Sequence, residues 1–286
     1  MLQRQKNKNE NSRGAARTGF PGSKFARRIR DVGISSEAAP AFGILSGACG
    51  LPKAVGISGD NHICRKLTRS TYVVAVADGM GTGRMASECS KFVLESLYQL
   101  LRVGLSPLDA VSSINAAIPL SISSECFSTV DLAVFDLREG ICSIYKAGGA
   151  PSIIQRGEEA GILKMPALPI GIIEEPDIKY TTFAIERGDR YFFMSDGVTE
   201  SPVPDRHLSW ATELILEHPS EPPRTISERL LWGATLRYGQ TERDDMTVVT
   251  VEIVCPVIRF HRIFLPSHRW RAPLPPEICL LTQRFS

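Results

Sequence analysis

The chain has 286 residues, 43% of them hydrophobic and 22% charged, with a formal net charge of +2. That is the profile of an ordinary globular protein with enough apolar material for a substantial core, and it excludes a fibrous or wholly disordered chain. The small net charge hides a segregation: residues 1–30 carry nine Lys/Arg against one Glu, residues 255–286 five Arg against one Glu, and the centre 19 basic against 29 acidic residues. An acidic centre suits multivalent cations better than nucleic acid, so no nucleic-acid partner is expected.

Cysteines stand at 49, 64, 89, 126, 142, 255 and 279, with no CxxC pair. They read as reduced, buried thiols of a cytoplasmic protein, not as a disulfide framework or a zinc site. No apolar run approaches the roughly 18 residues of a membrane span, and the basic N-terminus lacks the apolar centre of a signal peptide.

Residues 1–40 are polar, basic and aperiodic at their start and read as a disordered tail. Residues 41–48 (AFGILSGA) suggest a short strand, Val55–Ile57 another short extended piece, and Ser58-Gly59-Asp60-Asn61 a turn. The run 71–77 (TYVVAVA) is β-branched and almost wholly apolar, the pattern of a strand buried on both faces. It stops at Asp78-Gly79-Met80-Gly81-Thr82-Gly83. Cys89, Val93, Leu97 and Leu100 then recur at helical spacing over 85–102. Ser106-Pro107 starts a second helix, with Ser as N-cap and Pro at the first position, running to about Ala117. Two hairpins follow, 128–137 with 141–147 and 151–155 with 161–165. Strands are expected at 178–185 and 190–195, a helix at 224–238, and a last strand at 246–254 (MTVVTVEIV). Hairpins dominate, so antiparallel sheets with helices outside fit better than a βαβ array. Residues 255–286, rich in Pro and Arg, read as an irregular basic extension.

Four segments place an aspartate at a strand or turn edge: Ser58-Gly59-Asp60, Ala77-Asp78-Gly79, Ser195-Asp196-Gly197 and Arg243-Asp244-Asp245. A carboxylate beside a buried strand needs a partner. In sequence the nearest cations are Arg84 and Arg243. Carboxylates that converge without matching cations repel one another, and divalent metals relieve that repulsion; all-oxygen ligation favours Mg²⁺ or Mn²⁺ over zinc. Each piece alone is a common turn. The signal is their combination and order.

These stretches also carry a resemblance. SGDNH at 58–62, VADGMGTG at 76–83, STVDLAVFDL at 128–137, KAGGAPSIIQRG at 146–157, LPIGI at 168–172, FFMSDGVTES at 192–201 and DDMTVVTVEI at 244–253 resemble the PPM-type (type 2C) metal-dependent protein phosphatases. More closely they resemble the phosphatase domain of the stage II sporulation protein E family. The resemblance spans about residues 41–254 and implies an α+β fold, an αββα sandwich of two antiparallel sheets flanked by helices. It implies that Asp60 and Asp78 hold or bridge two divalent ions, Mn²⁺ or Mg²⁺, with the Gly79 carbonyl as a further ligand. Asp196 and Asp244 complete the site, and Asp245 stands behind it. The implied activity is a protein serine/threonine phosphatase in which the ions activate a water to attack phosphorus. The implied partner is a serine-phosphorylated anti-anti-sigma factor, and a homodimer stays open. A catalytically degenerate binding module of the same fold, or a magnesium-dependent hydrolase of small phosphate esters, is the alternative.

The sequence departs from the wider pattern at Met80, where many type 2C phosphatases place a His after the Asp-Gly; the sporulation phosphatases share the Met. His62 reads as a surface or supporting histidine, not a replacement acid. The sporulation protein carries a multi-span membrane region before its phosphatase domain, whereas about 40 residues precede the resemblance here. The chain is thus expected to be either a free-standing phosphatase or the end of a larger gene.

Residues 1–30 contain only Leu2, Phe20, Phe25 and Ile29 as large apolar groups, too few to offset the entropy of ordering. Deleting them is expected to leave the melting temperature and turnover on a small substrate nearly unchanged. A large fall in melting temperature would make the segment part of the fold.

Overall fold

The computed structural model describes residues 40–256 except 54–55, 82, 122–125 and 204–207. The tail expected over 1–40 and the extension expected over 255–286 lie outside these residues, apart from Pro40, Cys255 and Pro256.

The elements in chain order are β1 (Gly43–Leu51), β2 (Asp60–Lys66), β3 (Thr71–Asp78), α1 (Arg84–Arg102), α2 (Pro107–Ser121), β4 (Val130–Asp136), β5 (Ile141–Ala147), β6 (Ser152–Arg156), β7 (Glu159–Leu163), β8 (Lys179–Ala184), β9 (Arg190–Met194), α3 (Asp196–Thr199), α4 (Ser209–Glu217), α5 (Pro223–Tyr238) and β10 (Met246–Val254). They form two five-stranded sheets, one ordered β1-β10-β9-β6-β7 and the other β2-β3-β4-β5-β8. Every strand pair is antiparallel.

The alternation within β3 explains the layers. Val74 and Val76 join Phe135, Ile144, Tyr191, Phe193, Val249 and Val251 in the core between the sheets. Val73, Ala75 and Ala77 point the other way, into a second core with Val93 and Leu97 of α1 and Ile114 and Ile118 of α2. A third core sets Phe192, Met194 and Val248 against Ile215 of α4 and Ile226 and Leu230 of α5. The order of layers is helices, sheet, sheet, helices, the αββα sandwich expected. Phe135 and Tyr191 meet edge to face across the two sheets, ring centres 5.2 Å apart, a preferred aromatic geometry.

Several expectations are corrected. Residues 60–66 are a strand, not the continuation of a turn. β2 lies at a sheet edge, and its run DNHICRK is half exposed, so it shows no apolar run. β7 starts at Glu159, two residues earlier than expected, because Arg156 pairs directly with Glu159 across a two-residue turn. α2 runs on to Ser121, past Pro119. The nine-residue helix α4 was not expected; it is short, and much of it is held by contacts with α5 and Leu208. The cysteines are not all reduced: Cys89 of α1 is disulfide-bonded to Cys126, just before β4. A separation of 37 residues matches no spacing motif, and only the packing of α1 beside that segment brings the sulfurs together. Among the described residues Cys49, Cys64, Cys142 and Cys255 are free thiols. Burial pushes Cys49 and Cys64 up to about 11 and Cys142 well above its ordinary value, so these three stay protonated and unreactive. Among the described residues no helix is long and apolar enough to cross a membrane.

One polar network ties the two sheets together. Lys146 of β5 is fully buried. Its ammonium donates to Asp131 of β4, to the Ala150 carbonyl at 2.6 Å and to Ser152 of β6 at 2.8 Å. Ser152 in turn donates to Asp131 at 3.0 Å. All three Lys protons are thus committed, two of them to groups in or next to the opposite sheet. Burial pushes Asp131 up and Lys146 down, each partly countered by the other. Removing one partner of such a pair leaves an uncompensated buried charge. Lys146→Met is expected to cost about 3–5 kcal/mol in urea denaturation, and adding Asp131→Leu to recover much of it. A single-variant loss below about 1 kcal/mol would show that the pair does not bind the sheets together.

Candidate metal centre

Asp60 opens β2 and Asp78 closes β3, and the antiparallel register sets them directly opposite one another. A cross-strand pair shares one face of its sheet, so two carboxylates are forced together, an arrangement that is unfavourable without a counter-charge. Asp60 is buried, and neither of its carboxylate oxygens has a hydrogen-bond partner. The nearby Ser195 hydroxyl accepts the Thr247 N–H at 2.9 Å and donates to the Asp245 carbonyl at 3.5 Å.

The other sheet brings two more carboxylates to the same edge. Asp196 is the first residue of α3, separated from β9 by Ser195 alone. Asp244 stands two residues before β10 and is exposed. Its Oδ1 accepts the Asp245 N–H at 2.9 Å and lies 4.0 Å from the Lys53 ammonium. The fifth carboxylate, Asp245, has backbone partners: its oxygens accept the Lys53 N–H at 2.6 Å and the Gly59 N–H at 2.7 Å. It therefore ties the loop before β10 to the loop before β2, which leads into Asp60.

The glycines of the two Asp-Gly pairs are there for contact, not for turning. A Cβ on Gly79 would stand 2.0 Å from the Ala86 carbonyl of α1, and one on Gly197 2.0 Å from the Asp245 carbonyl. Each allows a neighbouring backbone to press against the residue next to an aspartate. The Asp78 backbone is clamped as well: its N–H donates to Thr129 Oγ1 at 3.0 Å, and its carbonyl accepts Thr129 N–H at 2.8 Å and Ser128 Oγ at 3.0 Å. Ser90 of α1 donates to the Gly59 carbonyl at 2.5 Å, and Gly79 N–H donates to the same oxygen at 3.3 Å.

The electrostatics register the crowding. Burial, followed by the charges of Asp60, Asp196 and Asp244, pushes Asp78 up to about 8. Burial pushes Asp60 up to about 6, with Asp196 and Asp245 adding and the Ser195 and Thr247 side chains opposing. Asp196 is raised by burial and then by Asp244 and Glu200. The cations noted in sequence do not relieve this: Arg84 pairs with Glu88, and no hydrogen bond or ion pair joins Arg243 to these aspartates. Asp60, Asp78 and Asp196 share one edge of the sandwich, while Asp244 sits at its rim. Among the described residues no three acidic, His or Cys side chains close around a single point. Orphaned buried oxygens, mutual repulsion and an all-oxygen donor set with the Gly79 carbonyl nearby fit hard divalent cations. His62 is exposed on the edge strand, and Met80 is exposed as well. A pocket of about 250 Å³ opens beside Asp78 and Asp196, lined also by Asp131, Gly149, Lys164 and Glu200. The buried Lys146–Asp131–Ser152 network behind its wall was not anticipated; its residues stand in the quoted motifs, but nothing in their spacing marks a buried ion pair.

Two antiparallel sheets between helices, with aspartates from both sheets at one edge, define a PPM-type (PP2C) phosphatase domain. The chain belongs to the Stage II sporulation protein E (SpoIIE) family, whose sequence model matches residues 68–254. It is 34% identical over 215 residues to Stage II sporulation protein E of Bacillus subtilis (strain 168), covering 74% of this chain and 26% of that protein. It is similar to the solved PP2C phosphatase domain of SpoIIE from Bacillus subtilis with a fragment of its regulatory domain, at TM-score 0.70 and 30% identity, over 76% of this chain and 64% of that one. The fold is shared more distantly with the catalytic domain of the phosphatase PstP, solved with two manganese ions, at TM-score 0.59 and 19% identity, over 74% of this chain and 98% of that one. The chain thus spans about a quarter of the length of the Bacillus subtilis protein.

The raised carboxylates give a sign for pH. An unfolded Asp titrates near about 4, so between that value and the folded values of about 6 and 8 the metal-free folded state holds extra protons. Its stability therefore falls as pH rises through that window. In EDTA the melting temperature is expected to fall from about pH 5 to about pH 8, less steeply in Asp78→Asn, and Mn²⁺ to raise it more at the upper pH. A Mn²⁺ effect that shrinks with rising pH would exclude these carboxylates as the ion's site.

Proposed function

We propose that the chain is a metal-dependent protein serine/threonine phosphatase acting on phosphoserine. The observation that carries this reading is the opposed Asp60–Asp78 pair, with both Asp60 oxygens buried and unpartnered, at one edge of a domain of this family. In this reading Asp60, Asp78, the Gly79 carbonyl, Asp196 and Asp244 hold two divalent ions, Mn²⁺ or Mg²⁺. When bound, such ions lower the pKa of a water to near neutrality and offset charge on the phosphoryl oxygens.

The chain's own residues do the positioning. The clamp by Ser128 and Thr129 fixes the Asp78 and Gly79 backbone, and Asp245 fixes the loop that carries Asp60. The pocket beside Asp78 and Asp196 gives the phosphate a place next to the carboxylates. No side-chain nucleophile is required, and with Met80 in place of a histidine the leaving oxygen takes its proton from solvent at the site. By analogy with the family, the substrate is a serine-phosphorylated anti-anti-sigma factor, in sporulation or another sigma-factor control.

Hydrolysis of p-nitrophenyl phosphate is expected to require Mn²⁺ or Mg²⁺ and to vanish with EDTA. Asp78→Asn or Asp196→Asn is expected to lower turnover by roughly two to four orders of magnitude and to leave the fold intact, because each relieves like-charge repulsion. Full activity in metal-free buffer, or wild-type turnover in Asp196→Asn, would refute the mechanism.

A further inference from the structure

Exposed apolar side chains stand on segments whose backbone leads to the acidic pocket. Lys164, Met165 and Pro166 line that pocket together with Asp78 and Asp196. A few residues on, Ile170 exchanges backbone hydrogen bonds of 2.9 and 3.1 Å with Ser128, whose hydroxyl donates to the Asp78 carbonyl. The strip 164–173 is therefore one backbone removed from the metal centre. Ile170 is buried, but Leu168, Ile172 and Ile173 are 40–46% exposed. Gly171, at φ 93°, turns the chain straight after Ile170. Asn115 of α2 holds this turn, accepting the Gly171 N–H at 2.7 Å and donating to the carbonyls of Ile173 and Glu174 at 2.9 Å. The apolar side chains thus stand on a fastened loop. Met80, whose N–H donates to the Phe127 carbonyl next to Ser128, and Met85 at the start of α1 are 52% and 56% exposed.

Single exposed apolar side chains are ordinary. Five of them on segments bracketing one acidic centre are a contact surface, and methionines suit a partner that must be gripped without a rigid match. We infer that Leu168, Ile172, Ile173, Met80 and Met85 form the docking rim for the phosphorylated protein itself, which lays an apolar patch beside its phosphoserine on them. This rests on the phosphatase reading. The occupant follows from continuity: a molecule covering both rim and pocket must carry a phosphate and an apolar surface together, whereas a small phosphate ester reaches only the pocket.

The test compares the wild type with the Leu168→Ser/Ile172→Ser double variant, with Mn²⁺, on p-nitrophenyl phosphate and on a serine-phosphorylated anti-anti-sigma factor. Both positions are exposed, and an unchanged melting curve checks the fold. The variant is expected to lose roughly tenfold in kcat/KM on the phosphoprotein, mainly through KM, and to stay within about twofold of wild type on the small ester. Equal losses on both substrates, no loss on the phosphoprotein, or a variant that differs from wild type only by losing self-association in light scattering would overturn the inference. So would a wild type that hydrolyses the ester but not the phosphoprotein, which leaves the phosphatase reading standing. A wild type inactive on both overturns the phosphatase reading and this inference with it.

Discussion

Asp60 and Asp78 face each other across β2 and β3 because the strand register allows nothing else, and that enforced proximity of like charges organises the rest of the molecule. Two carboxylates on one cross-strand pair oppose folding unless something offsets them. Burial and the charge of Asp60 drive Asp78 up to about 8, and Asp196 and Asp244 from the second sheet add to the repulsion instead of relieving it. The sandwich is stable enough elsewhere to hold this edge in an unfavourable state. Three apolar cores supply that support, one between the sheets and one beneath each helical layer. Carboxylates raised by burial and by one another and gathered at one edge are the kind of cluster that marks a candidate binding centre.

Holding the carboxylates is mainly the work of the backbone. Thr129 and Ser128 grip Asp78 from the residues just before β4, α1 presses on Gly79 through Ala86, and Ser90 of the same helix reaches Gly59. The acidic pair thus shares its support with α1, whose Cys89 is also bonded to Cys126 beside that grip. On the far side Asp245 joins the loops before β2 and β10 through two backbone N–H groups. Asp245 accepts two backbone N–H groups from the loop before β2, whereas the exposed Asp244 accepts the N–H of its own neighbour, so the two do different jobs although they adjoin in sequence.

The Lys146–Asp131–Ser152 network has a related place. It joins the sheets just behind the pocket wall formed by Gly148, Gly149 and Ala150. A saturated ammonium in that position fixes the separation of the sheets where the two sets of aspartates must meet. The rim of exposed apolar groups lies outside this rigid frame, on a loop fastened by Asn115.

The sequence by itself determined the layers and the acid positions. β3, β9 and β10 are legible because strands buried on both faces need unbroken apolar runs, and their ends place Asp78, Asp196 and Asp244 at element boundaries. Helix α1 is legible from its spacing, since Cys89, Val93 and Leu97 all face the core. Local chemistry could not reveal β2, a half-polar edge strand whose only instruction is its pairing with β3. Nor could it show that Asp60 opposes Asp78, that the glycines beside Asp78 and Asp196 are demanded by Ala86 and Asp245, or that Cys89 meets Cys126. Each of these depends on residues tens to hundreds of positions apart brought within a few ångströms. Tertiary packing alone sets such distances, and with them which carboxylates repel, which are satisfied and which thiols react.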